Sequence, residues 1–119
     1  MNIQTFSQRT QLSPHTIRYY EKIGLLKNIH RSTSGHRCFT SADISWIEFI
    51  KRLKDMGMPL ENMRRYADLR YIGESTLQQR MQLLQEHADV IKERIAIESS
   101  HLHNINTKID YYQKMIANN

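Results

Sequence analysis

Hydrogen-bonding and aromatic side chains crowd into eight positions near the start of the chain: His15, Thr16, Arg18, Tyr19, Tyr20 and Lys22. If this segment is helical, side chains three and four residues apart share a face, and most of these groups line one side. Arginine can read guanine with two hydrogen bonds, and histidine, threonine and tyrosine suit phosphates or base edges. The segment therefore favours recognition of nucleic acid. For Tyr20, packing in the core near Ile17 is an equally open interpretation.

The flanking residues predict a helix-turn-helix over about 4–23. Ser13 and Pro14 are typical of a helix start, because serine caps a free amide and proline loses no needed hydrogen bond there. Gly24 suits the left-handed residue that ends a helix. Ile3 and Phe6 have the spacing of a short preceding helix. This pattern alone is common, since helical hairpins occur in many proteins.

A β-hairpin, or wing, is predicted over about 28–39. Two short extended pieces flank the Ser/Gly-rich turn 32–35, and Phe39 is expected to anchor the hairpin in the core. Arg31, His36 and Arg37 lie on it. A basic hairpin beside a recognition helix is well placed to grip a sugar-phosphate backbone.

Two further helices are predicted over about 41–56 and 59–72. Thr40 and Asp43 form a shortened capping box before the most apolar part of the chain. Arg64, beside Arg65, lies on the polar face of the second helix and either contacts DNA or is only solvated.

The charge is unevenly distributed along the 119 residues. Residues 1–73 hold 12 Lys and Arg against 6 Asp and Glu, whereas residues 74–119 hold 5 against 6. The excess behind the net charge of +5 therefore lies in the N-terminal part. A localised basic region is typical of nucleic-acid binders, although a solvated basic surface would give the same count.

The motif residues resemble the MerR family of bacterial transcription regulators. The resemblance is to its short members without an effector domain, the subgroup that responds to aldehydes or thiol stress through a cysteine on the third helix, where this chain has Arg52 instead. The resemblance rests on Thr16–Leu26, on Arg31, Gly35, His36, Arg37, Phe39 and Thr40, and on Lys54–Leu60, in order and without gaps over residues 1–72. It departs from the family at Gln11, where glycine is usual, and at His36, where tyrosine is common. If that turn needs a left-handed residue, Gln11 carries some strain.

The resemblance implies a winged helix-turn-helix DNA-binding domain in residues 1–72. Arg18 and His15 would read bases from the major groove, and the wing and the tyrosines would hold phosphates. Such regulators bind an inverted-repeat promoter as homodimers, bend and untwist it, and so realign the elements that RNA polymerase recognises. The expected DNA contacts are Ser13, His15, Thr16, Arg18, Tyr19, Tyr20, Lys22, Arg31, His36, Arg37 and Arg64.

Residues 74–117 predict a long coiled-coil helix. Apolar residues recur in alternating steps of four and three, with Glu98 at the one polar position of this seam, and no glycine or proline interrupts the stretch. The resemblance implies antiparallel pairing with a second copy, although the heptads do not fix the direction. Glu98 would then set the register near the dyad or be exposed at a loose crossing. The expected dimer contacts are Leu77, Met81, Leu84, Ala88, Ile91, Ile95, Leu102, Ile105, Ile109, Tyr112 and Ile116.

Several other classes of protein lack support in the sequence. No apolar run is long enough to span a membrane, and we expect a cytoplasmic protein that has no secretion leader and no cofactor or metal. No catalytic constellation indicates an enzyme, and we expect a regulator without a separate segment for sensing an effector. Cys38, the single cysteine, has either a packing or a redox role. The alternative function is a coiled-coil interaction protein whose basic module binds an acidic partner, or DNA without sequence preference.

Overall fold

The fold is mainly helical, with one small β-hairpin. The computed structural model describes every residue, Met1–Asn119. Its elements are α1 (Ile3–Thr10), α2 (Pro14–Lys22), β1 (His30–Arg31), β2 (Arg37–Cys38), α3 (Ser41–Asp55), α4 (Leu60–Ile72), a short 3₁₀ turn (Glu74–Thr76) and α5 (Leu77–Ala117). The predicted fold class, a winged helix-turn-helix followed by a long helix, is confirmed.

The chain divides into two compact units, Met1–Leu83 and Leu84–Asn119. The first contains α1 to α4, the hairpin and the beginning of α5. We call this first unit the head. The second unit consists of the remainder of α5. No helix of the chain is both long and apolar enough to cross a membrane.

The core of the head joins all of its elements. Its largest fully buried side chains come from α1, α2, α3 and the segment after α2, and they are Phe6, Ile17, Leu25, Leu26, Ile47, Ile50 and Leu53. The ring of Phe39 stacks on that of Phe6 with centroids 4.1 Å apart, so the predicted anchor of the wing is buried. Trp46 is buried too, and its indole N–H donates to the carbonyl of Leu25 at 2.7 Å.

Side-chain caps define the starts of α2 and α3. The Ser13 hydroxyl accepts from the amide of Thr16 at 3.1 Å, and Pro14 occupies the first turn. At α3, the Thr40 hydroxyl accepts from the Asp43 amide at 3.2 Å while the Asp43 carboxylate accepts from the Thr40 amide at 2.9 Å. These reciprocal bonds satisfy amides that the first turn of a helix leaves without partners. The predicted capping box is therefore present.

The turn between α1 and α2 places a non-glycine residue in the left-handed region. Gln11 has φ 58° and ψ 28°, the conformation for which glycine is the usual choice. The turn is held by Lys51 of α3, whose ammonium donates to the carbonyl of Thr10 at 2.6 Å. Tertiary contacts thus impose a backbone conformation that glutamine itself disfavours.

The junction before α5 differs from the expected uninterrupted helix over 74–117. Residues Glu74–Thr76 form a 3₁₀ turn, and α5 begins at Leu77. Gly73 adopts φ 114°, and the Thr76 hydroxyl donates to the carbonyls of Leu69 and Gly73 at 2.6 and 2.7 Å. The hydroxyl thus satisfies one carbonyl in the last turn of α4 and the carbonyl of the residue that follows the helix, where backbone groups lack helical partners. The predicted start at 74 is therefore three residues too early.

Replacing Gln11 tests the strain in the α1–α2 turn. We expect Gln11→Gly to raise the free energy of unfolding of the head by about 0.5–1 kcal/mol, because relief of the left-handed conformation exceeds the entropy that glycine loses. Gln11→Ala is the matched control and should give no such gain, since alanine retains the Cβ. Urea unfolding followed by circular dichroism measures both, and equal stability of the two variants would contradict strain at this position.

Candidate nucleic-acid interface

The exposed face of α2 carries the predicted reading residues. His15, Arg18 and Lys22 are exposed, and Tyr19 is 46% exposed. On the opposite side, Ile17 is buried between the helix and the core. The amphipathic division expected from the sequence is therefore present in this helix.

Tyr20 belongs to the core and not to this exposed face. Its side chain is only 6% exposed, and the backbone carbonyl of Tyr20 accepts from the amides of Leu25 and Leu26. This burial argues against the phosphate contact predicted from the sequence and favours the packing role. Tyr20 is buried because it follows Ile17 by one helical turn and so lies on the face of α2 that packs on the core.

The start of α2 presents two hydroxyl groups. The Ser13 hydroxyl lies 3.0 Å from that of Thr16 and also caps the Thr16 amide. Ser13 is exposed and Thr16 half-buried. Both hydroxyls thus lie at the N-terminus of a helix, where the backbone dipole favours a negatively charged group.

The wing is a two-stranded antiparallel hairpin. His30 pairs with Cys38 and Arg31 with Arg37, and the turn is closed by bonds from the Ser32 amide to the His36 carbonyl at 2.8 Å. Within the turn, Gly35 has φ 84°, a conformation that side chains rarely adopt. Because each strand has only two residues, the pairing of the hairpin alone cannot hold it rigidly.

Glu21 of α2 ties the wing to the reading helix. The Arg37 guanidinium donates from Nε to Glu21 Oε2 at 3.2 Å and from Nη2 to Oε1 at 3.3 Å, and Arg31 Nη2 also donates to Oε1 at 3.3 Å. The side chains of Glu21 and Arg37 are each only 24% exposed. Fork geometry with partial burial makes this a stronger contact than an open surface pair.

Glu21 is part of the site although it is not among the DNA contacts predicted from the sequence. A signal for it is present in the sequence, because Glu21 lies between the basic residues Arg18 and Lys22 of the same helix. An unpaired carboxylate at that place would repel the phosphates of a nucleic acid, so a basic partner for Glu21 could have been expected. Its function becomes visible only when the hairpin folds back onto α2. Arg31 and Arg37, predicted to contact phosphate, are thereby held in fixed positions, and part of their charge is compensated.

A basic groove lies between the start of α1, α2 and the wing. The groove has a volume of about 670 Å³, and its lining includes the arginines Arg18, Arg31 and Arg37, together with His36. Cys38 also lines it and is half-buried. The structure therefore brings a base-reading candidate and three wing candidates to one concave surface, which suits a curved anionic backbone.

Arg64 lies on a different surface. It is exposed on α4 and lines a shallow depression with Glu61, Arg65 and Asp68. Two carboxylates neighbour the two arginines there, so this depression is less basic than the groove of the wing. The predicted DNA contact at Arg64 is separate from the cluster formed by the other residues.

The seam of α5 is exposed over most of its length. Leu77, Met81, Ile95, Leu102, Ile105, Ile109, Tyr112 and Ile116 are between 46% and 73% exposed. Leu84 and Ile91 are half-buried and Ala88 is exposed. A contiguous stripe of this kind is characteristic of a surface that pairs with another chain.

Family models match both parts of this architecture. The model described as "MerR HTH family regulatory protein" matches residues 1–69, and the model described as "MerR, DNA binding" matches residues 44–97. The chain belongs to the MerR family. The recognition made from the sequence motifs is therefore confirmed, and the prediction of a MerR-type DNA-binding transcriptional regulator is confirmed with it. The alternative of a coiled-coil interaction protein is not favoured.

Relatives and solved structures agree with this membership. The chain is 33% identical over 111 residues to an uncharacterised HTH-type transcriptional regulator of Haemophilus influenzae, covering 93% of this chain and 82% of that protein. It is 37% identical to the HTH-type transcriptional regulator AdhR of Bacillus subtilis, covering 71% of this chain and 60% of AdhR. The crystal structure of HiNmlR, a MerR family regulator lacking the sensor domain and bound to promoter DNA, superposes with a TM-score of 0.76 at 32% identity, covering 98% of this chain and 92% of HiNmlR.

Substitution of Glu21 tests its positioning of the wing. In Glu21→Gln the amide cannot balance two guanidinium groups, so we expect the preference for the specific operator over scrambled DNA to fall several-fold, while non-specific affinity stays equal or rises. Titration of both DNAs by fluorescence anisotropy measures the ratio. Glu93→Gln, an equal charge change at an exposed position of α5, should leave the ratio unchanged. An equal rise of both affinities in Glu21→Gln would show that Glu21 only repels DNA.

Proposed function

We propose that this MerR-family chain acts as a homodimer on an inverted-repeat promoter operator, with α2 of each copy in the major groove. The observation that carries the proposal is the grouping of Arg18 with the wing cations around one groove, beside the exposed face of a capped helix. A helix-turn-helix places its second helix in the major groove, with the N-terminal residues at the base edges.

The residues divide into base-reading and backbone-holding groups. His15 near the start of α2 and Arg18 in its middle are exposed and read bases, while Tyr19 and Lys22 reach the phosphates beside the groove. Ser13 and Thr16 offer hydroxyls to a phosphate at the helix N-terminus. On the wing, Arg31, His36 and Arg37 hold the backbone, and Arg64 contacts DNA outside this cluster. Tyr20 supports α2 from the core.

Glu21 limits how much of the wing's charge is available to DNA. Two arginines share one carboxylate, so the three groups together carry one net positive charge. The Arg31 side chain is 48% exposed, twice the fraction of Arg37, and it also donates to the Gly35 carbonyl at 3.1 Å. Arg31 is therefore the better placed of the two to exchange its carboxylate for a phosphate, and Arg37 the better placed to hold the hairpin.

The dimer forms through the exposed seam of α5. In the proposed dimer the two α5 helices run antiparallel, and the two-fold symmetry of the pair requires an operator with two inverted half-sites. Members of the family are dimers, and the seam supplies the apolar surface that such an association buries.

Bending and untwisting of the bound promoter would couple DNA binding to transcription. Such distortion costs free energy that depends on sequence, so the spacer contributes to selectivity even where no side chain touches it. The realigned promoter is then recognised by RNA polymerase. This function is exerted in the cytoplasm, where the promoter DNA is, and it requires no chemical step by the chain itself.

Arg18 provides the sharpest test of sequence reading. Once genome-wide mapping has identified an operator, Arg18→Ala should weaken binding to it by about 10- to 100-fold, the cost of one bidentate base contact, and should change binding to scrambled DNA far less. Lys114→Ala removes the same charge from the last turn of α5 and should affect both DNAs little. An equal loss on both DNAs for Arg18→Ala would exclude base reading by this residue.

A charge within the seam tests the need for a dimer. Ile105→Asp would bury unpaired carboxylates between the helices, so we expect a monomer in sedimentation velocity and at least a 100-fold loss of operator affinity. Ser100→Asp, on the outer face of the same helix, should remain dimeric and bind normally. A monomeric variant that retains full operator affinity would contradict the role assigned to the dimer.

A further inference from the structure

The seam positions of α5 have the same spacing when they are counted from either end of the helix. It has twelve positions within one uninterrupted helix, counting Glu98 as a member: 77, 81, 84, 88, 91, 95, 98, 102, 105, 109, 112 and 116. The steps from Leu77 forward are four, three, four, three, and the steps from Ile116 backward follow the same order. This symmetry constrains how two copies can pair.

Glu98 meets a different environment in each of the two possible directions of pairing. In a parallel pair every seam residue faces its own copy, so two Glu98 carboxylates would meet in the middle of an otherwise apolar interface. Like charges in such a place repel and lose their hydration. In an antiparallel pair one chain ascends while the other descends, and Glu98 then faces a different residue.

We propose a specific register for this antiparallel pair, one that rests on the proposed homodimer. The dyad lies between Ala96 and Ile97, and every seam position meets a seam position of the second copy. The six kinds of layer are Leu77 with the partner's Ile116, Met81 with the partner's Tyr112, Leu84 with the partner's Ile109, Ala88 with the partner's Ile105, Ile91 with the partner's Leu102, and Ile95 with the partner's Glu98.

Apolar burial selects this register among those that the heptads permit. A shift by one heptad in either direction also aligns seam with seam, but it leaves two seam positions of each chain without a facing seam residue. One direction leaves Leu77 and Met81 unpaired, and the other leaves Tyr112 and Ile116. All four of these side chains are more than half exposed in the single chain, so leaving any pair of them in water forfeits apolar burial.

The register places the one polar seam residue beside the dyad. Each Glu98 lies opposite the partner's Ile95, in two adjacent layers at the centre of the pair, so the two carboxylates are offset by about 4.5 Å along the axis and still repel each other. A groove around this point is lined by Ile91, Arg94, Ile95, Glu98 and Leu102. Arg94 on the rim of the same groove supplies a positive charge beside the carboxylates, which lowers the cost of covering them.

Engineered disulfides test the facing pairs. In a Cys38→Ser background, Ile91→Cys with Leu102→Cys should give a covalent dimer in oxidised glutathione, because each cysteine faces the other type in the partner. The two positions are about 16 Å apart along one helix, so a disulfide within one chain is excluded. Covalent dimer on a non-reducing gel is the expected result, with circular dichroism confirming the helical fold.

Matched variants distinguish the other arrangements. Two double variants report the registers shifted by one heptad: Ile91→Cys with Ile109→Cys, and Leu84→Cys with Leu102→Cys. If either of them formed more covalent dimer than the variant with Ile91→Cys and Leu102→Cys, the proposed register would be overturned. Ile91→Cys alone should remain uncrosslinked, and a covalent dimer from it would indicate parallel helices. Sedimentation of the Cys38→Ser chain separates the hypotheses, since a monomer there overturns the homodimer itself, while a dimer with the wrong crosslinks overturns only the register.

Spin labels outside the seam provide a second measurement that leaves the interface unchanged. Gln79 and Lys114 are exposed and equally far from the proposed dyad, so labels on Gln79→Cys and on Lys114→Cys should show equal separations between copies, each with an axial component of about 52 Å. A shifted register would lengthen one separation and shorten the other by about 10 Å each. Two short separations, set by the width of the pair alone, would indicate parallel helices.

Discussion

The attraction between one carboxylate and two guanidinium groups holds the wing against α2 in the proposed DNA-reading surface. A hairpin of two-residue strands has too few hydrogen bonds to stay in place by its own pairing. Helix α2 ends several residues before the hairpin starts, so the two elements are not joined by continuous secondary structure. Glu21 joins the two through Arg31 and Arg37, while the stacked rings of Phe6 and Phe39 fix the hairpin's base. The orientation of the wing cations relative to Arg18 therefore depends on an acidic residue in a surface that otherwise attracts anions.

Arg31 and Arg37 differ in how they bind the Glu21 carboxylate, and this difference assigns them different roles. Arg37 is more buried and donates hydrogen bonds to both carboxylate oxygens of Glu21, whereas Arg31 is half-exposed and donates to only one of them. A contact that is partly open to water can be exchanged for a phosphate at small cost, and a bidentate, partly buried one cannot. A regulator that must both hold its wing and grip a backbone has use for one arginine of each kind.

Much of the head was predictable because its signals are local. The serine and threonine caps and the capping box of Thr40 and Asp43 depend on residues close in sequence, and all are present. The start of α5 was not predictable in this way, because the Thr76 hydroxyl reaches back to the carbonyl of Leu69 in α4. Nor could the sequence choose between core and phosphate for Tyr20, whose amphipathic side chain suits either place.

The sequence by itself determined the family, the helical periods, the basic character of the first 73 residues and the symmetric seam of α5. These follow from residue type and spacing alone. Only the tertiary structure decided that Gln11 accepts a left-handed turn, that Tyr20 is buried, and that Glu21 pairs with the wing. Each of these depends on a contact between segments distant along the chain or on which side of a helix the core lies. Such contacts arise only when the free energy of the whole packed unit outweighs the preferences of its individual residues.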